Sequence, residues 1–435
     1  MKIVILGAGE SGVGAALLAQ QKGFEVWVSD KGAIHPNFKK ELEENKIPYE
    51  ELQHTKEKIF DATQVIKSPG IPDKVPLIKA LKEQGIPVIS EIEFASKYTD
   101  ATIIAITGSN GKTTTTKLIY HLLHTAGYDV AVGGNIGISF ARLLSGGNHA
   151  YYVLELSSFQ LDGIRDFRPN VSVLLNITPD HLDRYEYKME HYIASKFRII
   201  QNQKGKDLFI YNGLDENITT YLQDRQLTIK ETIVKEIFHS KNKLTVGVSE
   251  FDTTSCSLKG MHNMFNASCA IHAAKAVGMD DTFIQQGMNT FINAPHRLEH
   301  VAEIDGVEFI NDSKATNVDS VYYALKAMEK PVIWVVGGTD KGNDYNAIKS
   351  LVLEKVKAII CLGVDNTPII EAFIGKIEII EETKSCKEAV SVSQQYAHAG
   401  DVVLLSPACA SFDLFKNYID RGDQFKAAVL ESNFE

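Results

Sequence analysis

The segment TIIAITGSNGKTTTTKLIYHLL, residues 102–123, constrains the fold more than any other stretch of the chain. A β-favouring run meets a glycine-bearing turn, after which Leu118, Ile119, Leu122 and Leu123 recur at helical spacing. Strand, glycine turn and helix in that order form the repeating unit of a parallel α/β sheet. The turn has its own chemistry. Gly108 and Gly111 let backbone N–H groups face an anion at the positive end of a helix. Lys112 can reach the outer phosphates of a nucleotide, and the Thr113 hydroxyl suits Mg²⁺. A standard P-loop has a glycine five places before its Gly-Lys pair; here Ile106 stands there, so the loop is a shortened relative.

The same rhythm runs through most of the chain. Apolar, β-rich runs at residues 2–6, 25–29, 152–156, 171–176, 332–336, 358–362 and 401–405 alternate with helical stretches, which predicts mostly parallel sheets. Polar junctions at SKYTD (residues 96–100) and NAPHRLEH (293–300) place boundaries near residues 94 and 293. The domains expected are therefore 1–94, 95–293 and 294–435, in keeping with a length of 435 residues, too long for one ordinary core. Residues 212–259 are less regular and look hairpin-like.

Several apolar runs end in polar residues. The run YYVL closes on Glu155, the usual placement for a magnesium ligand in a parallel sheet. The run after it leads into NITPDHLDRY, which carries His181 and Asp183, and GGNIG adds Asn135. A histidine in such a turn is more often a structural hydrogen-bonder. Consecutive strands ending in polar clusters on one edge favour a site instead. At the start of the chain, Gly7, Gly9 and Gly12 fit GxGxxG after a strand, and Asp30 ends the next strand, the dinucleotide fingerprint. Any diphosphate-linked nucleoside suits that shape. An NAD-dependent dehydrogenase is the rival reading, but it has no use for a second, ATP-type loop.

Composition excludes other classes. Hydrophobic content of 44% with 23% charged residues describes an ordinary globular chain. The net charge of −10 argues against a nucleic-acid partner. The apolar runs are strand-sized, so no membrane insertion is expected, and the N-terminal run is too short for a secretory signal. Five scattered cysteines without a CxxC pair fit reduced thiols in a cytoplasmic protein and give no zinc site.

The motifs TGSNGKTTTT, GGNIG, VLELSSFQL, NITPDHLDRY, PHRLE, NDSKATN and LLSPACASFDLFKNY occur in this order over nearly the whole chain. Together they closely resemble the Mur ligases, and the last two look like the D-glutamate-adding branch. The resemblance implies three α/β domains: a Rossmann-like N-terminal domain for a UDP-sugar, a central P-loop ATPase-like domain, and a Rossmann-like C-terminal domain for the amino acid. It implies an ADP-forming amide ligase that is a monomer. Such an enzyme would use ATP and Mg²⁺ to join D-glutamate to UDP-N-acetylmuramoyl-L-alanine through an acyl phosphate.

Position by position, the resemblance assigns Gly108, Asn110, Gly111, Lys112, Thr113, Thr114, Asn263, Asn266, Arg297 and Asp312 to ATP. Glu10, Ser11, Asp30, Ser68 and Gly70 would hold the UDP moiety, with Asn135, Ser157, Gln160 and His181 at the muramoyl–alanine end. Thr316, Lys341, Ser411 and Tyr418 would receive D-glutamate. Tyr418 stands where the family often has an apolar aromatic, which implies an added hydrogen bond to the amino acid. Thr113 and Glu155 would hold one Mg²⁺, and His181 with Lys196 a second, once Lys196 carries the carbamate found at the matching lysine of the family. The catalytic set is then Lys112, His181, Lys196 and Lys314. A sister ligase with another amino acid or a folate-like acceptor is one alternative. A non-catalytic nucleotide-binding regulator is the other, although it would be expected to lose Lys112, Glu155, His181 or Lys314, and all four are present.

Overall fold

The computed structural model describes residues 1–432 apart from 236, 237, 241 and 259. It divides into two compact units, residues 1–256 with 263–291, and residues 257–262 with 292–435.

The first unit holds two parallel sheets. The N-terminal one has five strands in the order Tyr49–Glu50, Glu25–Ser29, Lys2–Leu6, Gln64–Lys67, Val88–Ile89. The central one has six, in the order Ile229–Val234, Gly205–Asn212, Val171–Leu174, Thr102–Thr107, Tyr151–Glu155, Val130–Gly134. Strands such as TIIAIT and YYVLE are almost wholly buried, which is why they read as continuous apolar runs without alternation. One apolar cluster joins both sheets, running from Ile3, Ile5 and Leu18 through Phe94 to Ile103, Phe140 and Leu154. Small residues permit the close approach of helices Glu10–Gln21 and Phe140–Gly146. A Cβ at Gly14 would lie 2.2 Å from Ser139 Oγ.

The hairpin-like expectation for residues 212–259 is met by an antiparallel sheet of Phe238–Ser240, Lys243–Val246 and Ser249–Asp252. The strands Gly205–Asn212 and Ile229–Val234, however, extend the central parallel sheet. Residues 236, 237, 241 and 259 of that stretch lie outside the described residues.

The second unit is built on one six-stranded sheet in the order Glu299–Ile304, Val307–Asn311, Val402–Leu405, Val332–Val336, Val356–Leu362, Ile379–Thr383. Apolar clusters cover both faces, one around Trp334 and Phe373, the other around Phe309, Ile333 and Phe425. Trp334 is fully buried and donates its indole N–H to the Ser406 carbonyl at 2.8 Å. The sheet is mixed: Glu299–Ile304 runs antiparallel to its neighbour. The link is Asp305-Gly306, with φ of +51° and +76°, the Asp-Gly pair that a tight hairpin turn demands. No helix among the described residues is long and apolar enough to cross a membrane.

Candidate active site

Strand Thr102–Thr107 sits between Tyr151–Glu155 and Val171–Leu174, with Ile106 in register with Glu155 and Thr107 with Leu174. The residues that follow these three strands therefore emerge side by side at one edge. The glycine turn is laced to the neighbouring loop. Ser109 N donates to Asn176 O at 2.9 Å, Asn110 N to Asn176 Oδ1 at 2.7 Å, and Asn176 Nδ2 back to Asn110 O at 3.0 Å. Gly111 caps helix Lys112–Thr125 with φ +83°, and a Cβ there would lie 2.5 Å from Asn266 Oδ1. Asn266 and Asn263, on helix Met261–Ala276, thus stand against the phosphate loop, 3.4 Å apart through their side chains. Thr113 and Thr114 occupy the first helical turn.

Two lysines converge on a single carbonyl. Lys112 Nζ donates to Gly108 O and Ser109 O, both at 2.8 Å, and Lys196 Nζ donates to Gly108 O at 2.8 Å. Lys196 is 1% exposed and lies over the Tyr192 ring at 4.7 Å. Burial, then the charge of Lys112, hold its ammonium well below the ordinary lysine range, while Asp180, Asp162 and Glu155 pull the other way. Burial is the larger effect, so the amine is predisposed to be neutral.

Glu155 is buried at 2% exposure. Its Oε1 accepts from Asn135 Nδ2 at 2.9 Å, and the Asn135 backbone N–H donates to the Glu155 carbonyl at 2.8 Å. Its Oε2 has no hydrogen-bond partner among the described residues. An orphaned carboxylate oxygen beside a phosphate loop fits a hard cation, which ordinarily takes one or two carboxylates and completes its shell with phosphate and water. Among the described residues no group of three or more His, Cys, Asp and Glu side chains could hold a metal ion unaided. His181 lies in the same region with left-handed φ of +53°, its ring 5.2 Å from that of Phe159. Ser157 and Gln160 form a reciprocal capping box. Ser157 Oγ accepts from Gln160 N at 3.3 Å, and Gln160 Oε1 accepts from Ser157 N at 3.0 Å.

In the N-terminal sheet the strand order changes direction between Lys2–Leu6 and Gln64–Lys67, and ligands of open α/β sheets bind at such a point. Two predicted loops meet there. Ser68 Oγ donates to Gly7 O at 3.3 Å, and Asp30 accepts from Ala8 N at 2.6 Å and from Gly32 N at 2.8 Å. Ser11 is half-buried in the first turn of its helix. Glu10 plays a part that its place in the loop did not suggest. Its Oε1 accepts from Ser139 N at 2.9 Å and Arg142 Nε at 2.8 Å, while Arg142 also pairs with Glu41. Arg184 donates to Gly70 O at 3.1 Å and Pro69 O at 3.2 Å with its guanidinium 4.2 Å over the Phe159 ring. The turn at residues 68–70 is in this way tied to the loop that carries His181.

The second unit gathers the remaining predicted residues. NDSKATN is the strand-to-helix turn the sequence predicts: Asn311 ends a strand, and Asn317 caps helix Val318–Ala327 by accepting from Ser320 N at 2.8 Å. Asp312 is buried, accepting from Leu298 N at 3.2 Å and Ser406 Oγ at 3.1 Å. Burial pushes its carboxyl up to about 7, against the pull of Arg297. Lys314 Nζ lies 3.7 Å over the Tyr418 ring. Ser411 is buried, Thr316 half-buried and Lys341 exposed.

Arg421 binds these loops together. Fully buried, it donates to Ser313 Oγ at 3.0 Å, Ser313 O at 2.9 Å, Cys409 O at 3.2 Å and Gly337 O at 3.3 Å. These acceptors belong to the turns after three neighbouring strands. Sequence reasoning missed Arg421, Arg142, Arg184, Asn176 and Tyr192. Asn176 alone left a signal, as the polar residue closing the run VSVLL.

Residues 1–90 match the Mur ligase MurD-like N-terminal domain, residues 106–274 the Mur ligase middle domain, and residues 296–409 the Mur ligase glutamate ligase domain. The chain is 50% identical to a UDP-N-acetylmuramoylalanine–D-glutamate ligase of Christiangramia forsetii, over 98% of this chain and 99% of the relative. With the ligase of the same name from Porphyromonas gingivalis it shares 51% identity over 98% of each. The UDP-N-acetylmuramate-alanine ligase of Thermotoga maritima has a similar fold, with a TM-score of 0.62, 21% identity and coverage of 99% of this chain and 100% of that one. By sequence along nearly its whole length, and by the fold that sequence adopts, the chain belongs to the Mur ligase family.

Proposed function

We propose that this chain joins D-glutamate to UDP-N-acetylmuramoyl-L-alanine, consuming ATP and releasing ADP and phosphate, as a step in making peptidoglycan precursors. The observation that carries the reading is its 50% identity, across nearly the full length, to a ligase named for that reaction. In this reading residues 1–94 form the UDP-sugar domain, 95–293 the ATPase domain and 294–435 the amino-acid domain.

A free carboxylate is a poor electrophile. The L-alanyl carboxylate oxygen attacks the γ-phosphorus of ATP, ADP leaves, and an acyl phosphate forms. The amine of D-glutamate then attacks the acyl carbon, phosphate departs, and the amine loses a proton. Both halves gather negative charge, so positioning and cationic stabilisation carry the catalysis. Backbone N–H groups of Gly108 and residues 111–114 cradle the phosphates beside the Asn110 side chain, and Lys112 stands on the loop to meet the transferred one. Asn263, Asn266, Arg297 and Asp312 take the rest of ATP. Glu10, Ser11, Asp30, Ser68 and Gly70 hold the UDP end at the change of strand direction. Asn135, Ser157, Gln160 and His181 face the alanyl end, and Thr316, Lys341 and Ser411 receive D-glutamate beside the ring of Tyr418. Thr113, Glu155, His181 and a carbamylated Lys196 would hold Mg²⁺, which offsets phosphate charge when bound. The buried amine of Lys196, which burial and Lys112 hold well below the ordinary lysine range, suits capture of CO₂. The protein works as a cytoplasmic monomer.

ADP release with UDP-N-acetylmuramoyl-L-alanine, measured across D-glutamate, L-alanine, meso-diaminopimelate and L-lysine, tests the assignment. D-glutamate is expected to be the amino acid used. Faster turnover with another would reassign the chain to a sister ligase, and no ADP release with any would favour a regulator.

A further inference from the structure

We propose that Tyr418 is a positioning residue for Lys314, acting through the face of its ring rather than through its hydroxyl. The proposal rests on the ligase reading above and on the place of Lys314 in the catalytic set that the family resemblance implies, where its ammonium would offset phosphate charge during acyl transfer. Lys314 Nζ lies 3.7 Å over the centroid of the Tyr418 ring, within the range in which a ring quadrupole attracts an ammonium. The surroundings fix both partners. The Lys314 backbone N–H donates to His296 O at 3.1 Å, and Ser313 Oγ donates to the Tyr418 carbonyl at 2.8 Å. Arg421, one helical turn beyond Tyr418, donates to both oxygens of Ser313. The turn and the start of helix Tyr418–Ser432 are therefore held in one register. The buried His296 stands edge-on to the ring at 6.1 Å and 82°, and Asn311 Nδ2 lies 2.9 Å from its Nδ1, which orients the imidazole. A long lysine side chain has many rotamers, and a ring under its ammonium selects one before substrate arrives.

This reading separates Tyr418 from a glutamate ligand. A hydroxyl that bonds the amino acid is lost in Tyr418→Phe, whereas a ring that carries an ammonium survives it. The full chain is assayed for ADP release as wild type, Tyr418→Phe, Tyr418→Leu, Lys314→Met and Lys314→Met/Tyr418→Leu, with thermal melts of each. Tyr418→Phe is expected to keep kcat and the KM for D-glutamate within twofold. Tyr418→Leu is expected to lower kcat about tenfold, and to change nothing further once Lys314 is Met. A tenfold rise in the glutamate KM for Tyr418→Phe overturns the proposal. So does full kcat in Tyr418→Leu, or an undiminished Leu effect on the Lys314→Met background. Full activity in Lys314→Met alone overturns instead the role given to Lys314, and a wild type without ADP release overturns the ligase reading.

Discussion

Lys196 Nζ sits 2.8 Å from the carbonyl oxygen of Gly108, so a fully buried amine on helix Met189–Phe197 is hydrogen-bonded to the phosphate loop. Lys112 uses the same oxygen. Two ammonium groups on one carbonyl repel, and the buried one yields its proton more readily.

A pH-dependent stability difference follows. The folded-state pKa of Lys196 is depressed, so between that value and the ordinary 10.5 the unfolded chain binds a proton that the folded chain does not. Stability of the wild type therefore rises with pH across that interval. In CO₂-depleted buffer, Lys196→Met is expected to melt above the wild type at neutral pH, with the gap closing as pH climbs toward 10.5. ADP release should fall by about a hundredfold or more. Melts at a series of pH values, paired with the assay, check both.

Gly111→Ala tests the phosphate loop. An L-residue at φ +83° costs about 1–2 kcal/mol, and its Cβ would meet Asn266 Oδ1 at 2.5 Å. The KM for ATP is expected to rise about tenfold. Adding Asn266→Ala should recover part of the stability, measured by urea unfolding, because it clears the space while the backbone strain stays.

Arg421→Met leaves four buried acceptors without their donor. A loss of about 3 kcal/mol is expected from stranding such groups. Arg421→Lys should recover less than half of it, since an ammonium on one stem cannot reach turns that a planar fork spans. Denaturant titration ranks the three proteins.

Asp312 titrates in the opposite sense to Lys196. Its folded pKa is about 7 against an ordinary 3.8, so its stabilising contribution is complete below about 4 and is lost as pH rises through 7. Asp312→Asn removes that loss. The variant should gain on the wild type by up to about 4 kcal/mol between pH 4 and pH 8, at about 1.4 kcal/mol per unit over about three units. Thermal melts at several pH values measure the gap, and ADP release should drop at least tenfold if the carboxylate meets ATP.

Much of the fold was legible because it depends on near neighbours in the chain. Buried parallel strands must be continuously apolar, helices must repeat every three to four residues, and a turn at a helix start must hold glycines and small polar groups. Those rules located the strand before Gly108, the acid ending the strand at Glu155, and NDSKATN as a strand-to-helix turn. The Asp305-Gly306 hairpin was equally local and was passed over, and with it the antiparallel edge strand Glu299–Ile304.

What the tertiary structure alone decided lies in pairs far apart in sequence. Gly108 and Lys196 are 88 residues apart, Ser313 and Arg421 are 108, and Glu10 and Arg142 are 132. Strand order made these neighbours, and strand order is set by which apolar faces bury against which, a property of the whole chain. The residue types at the site were thus determined by the sequence. That Lys196 is buried beside Lys112, that Glu155 keeps an unpaired oxygen and that Lys314 rests on Tyr418 was decided only when the sheets formed, because burial and proximity set the charge a side chain carries.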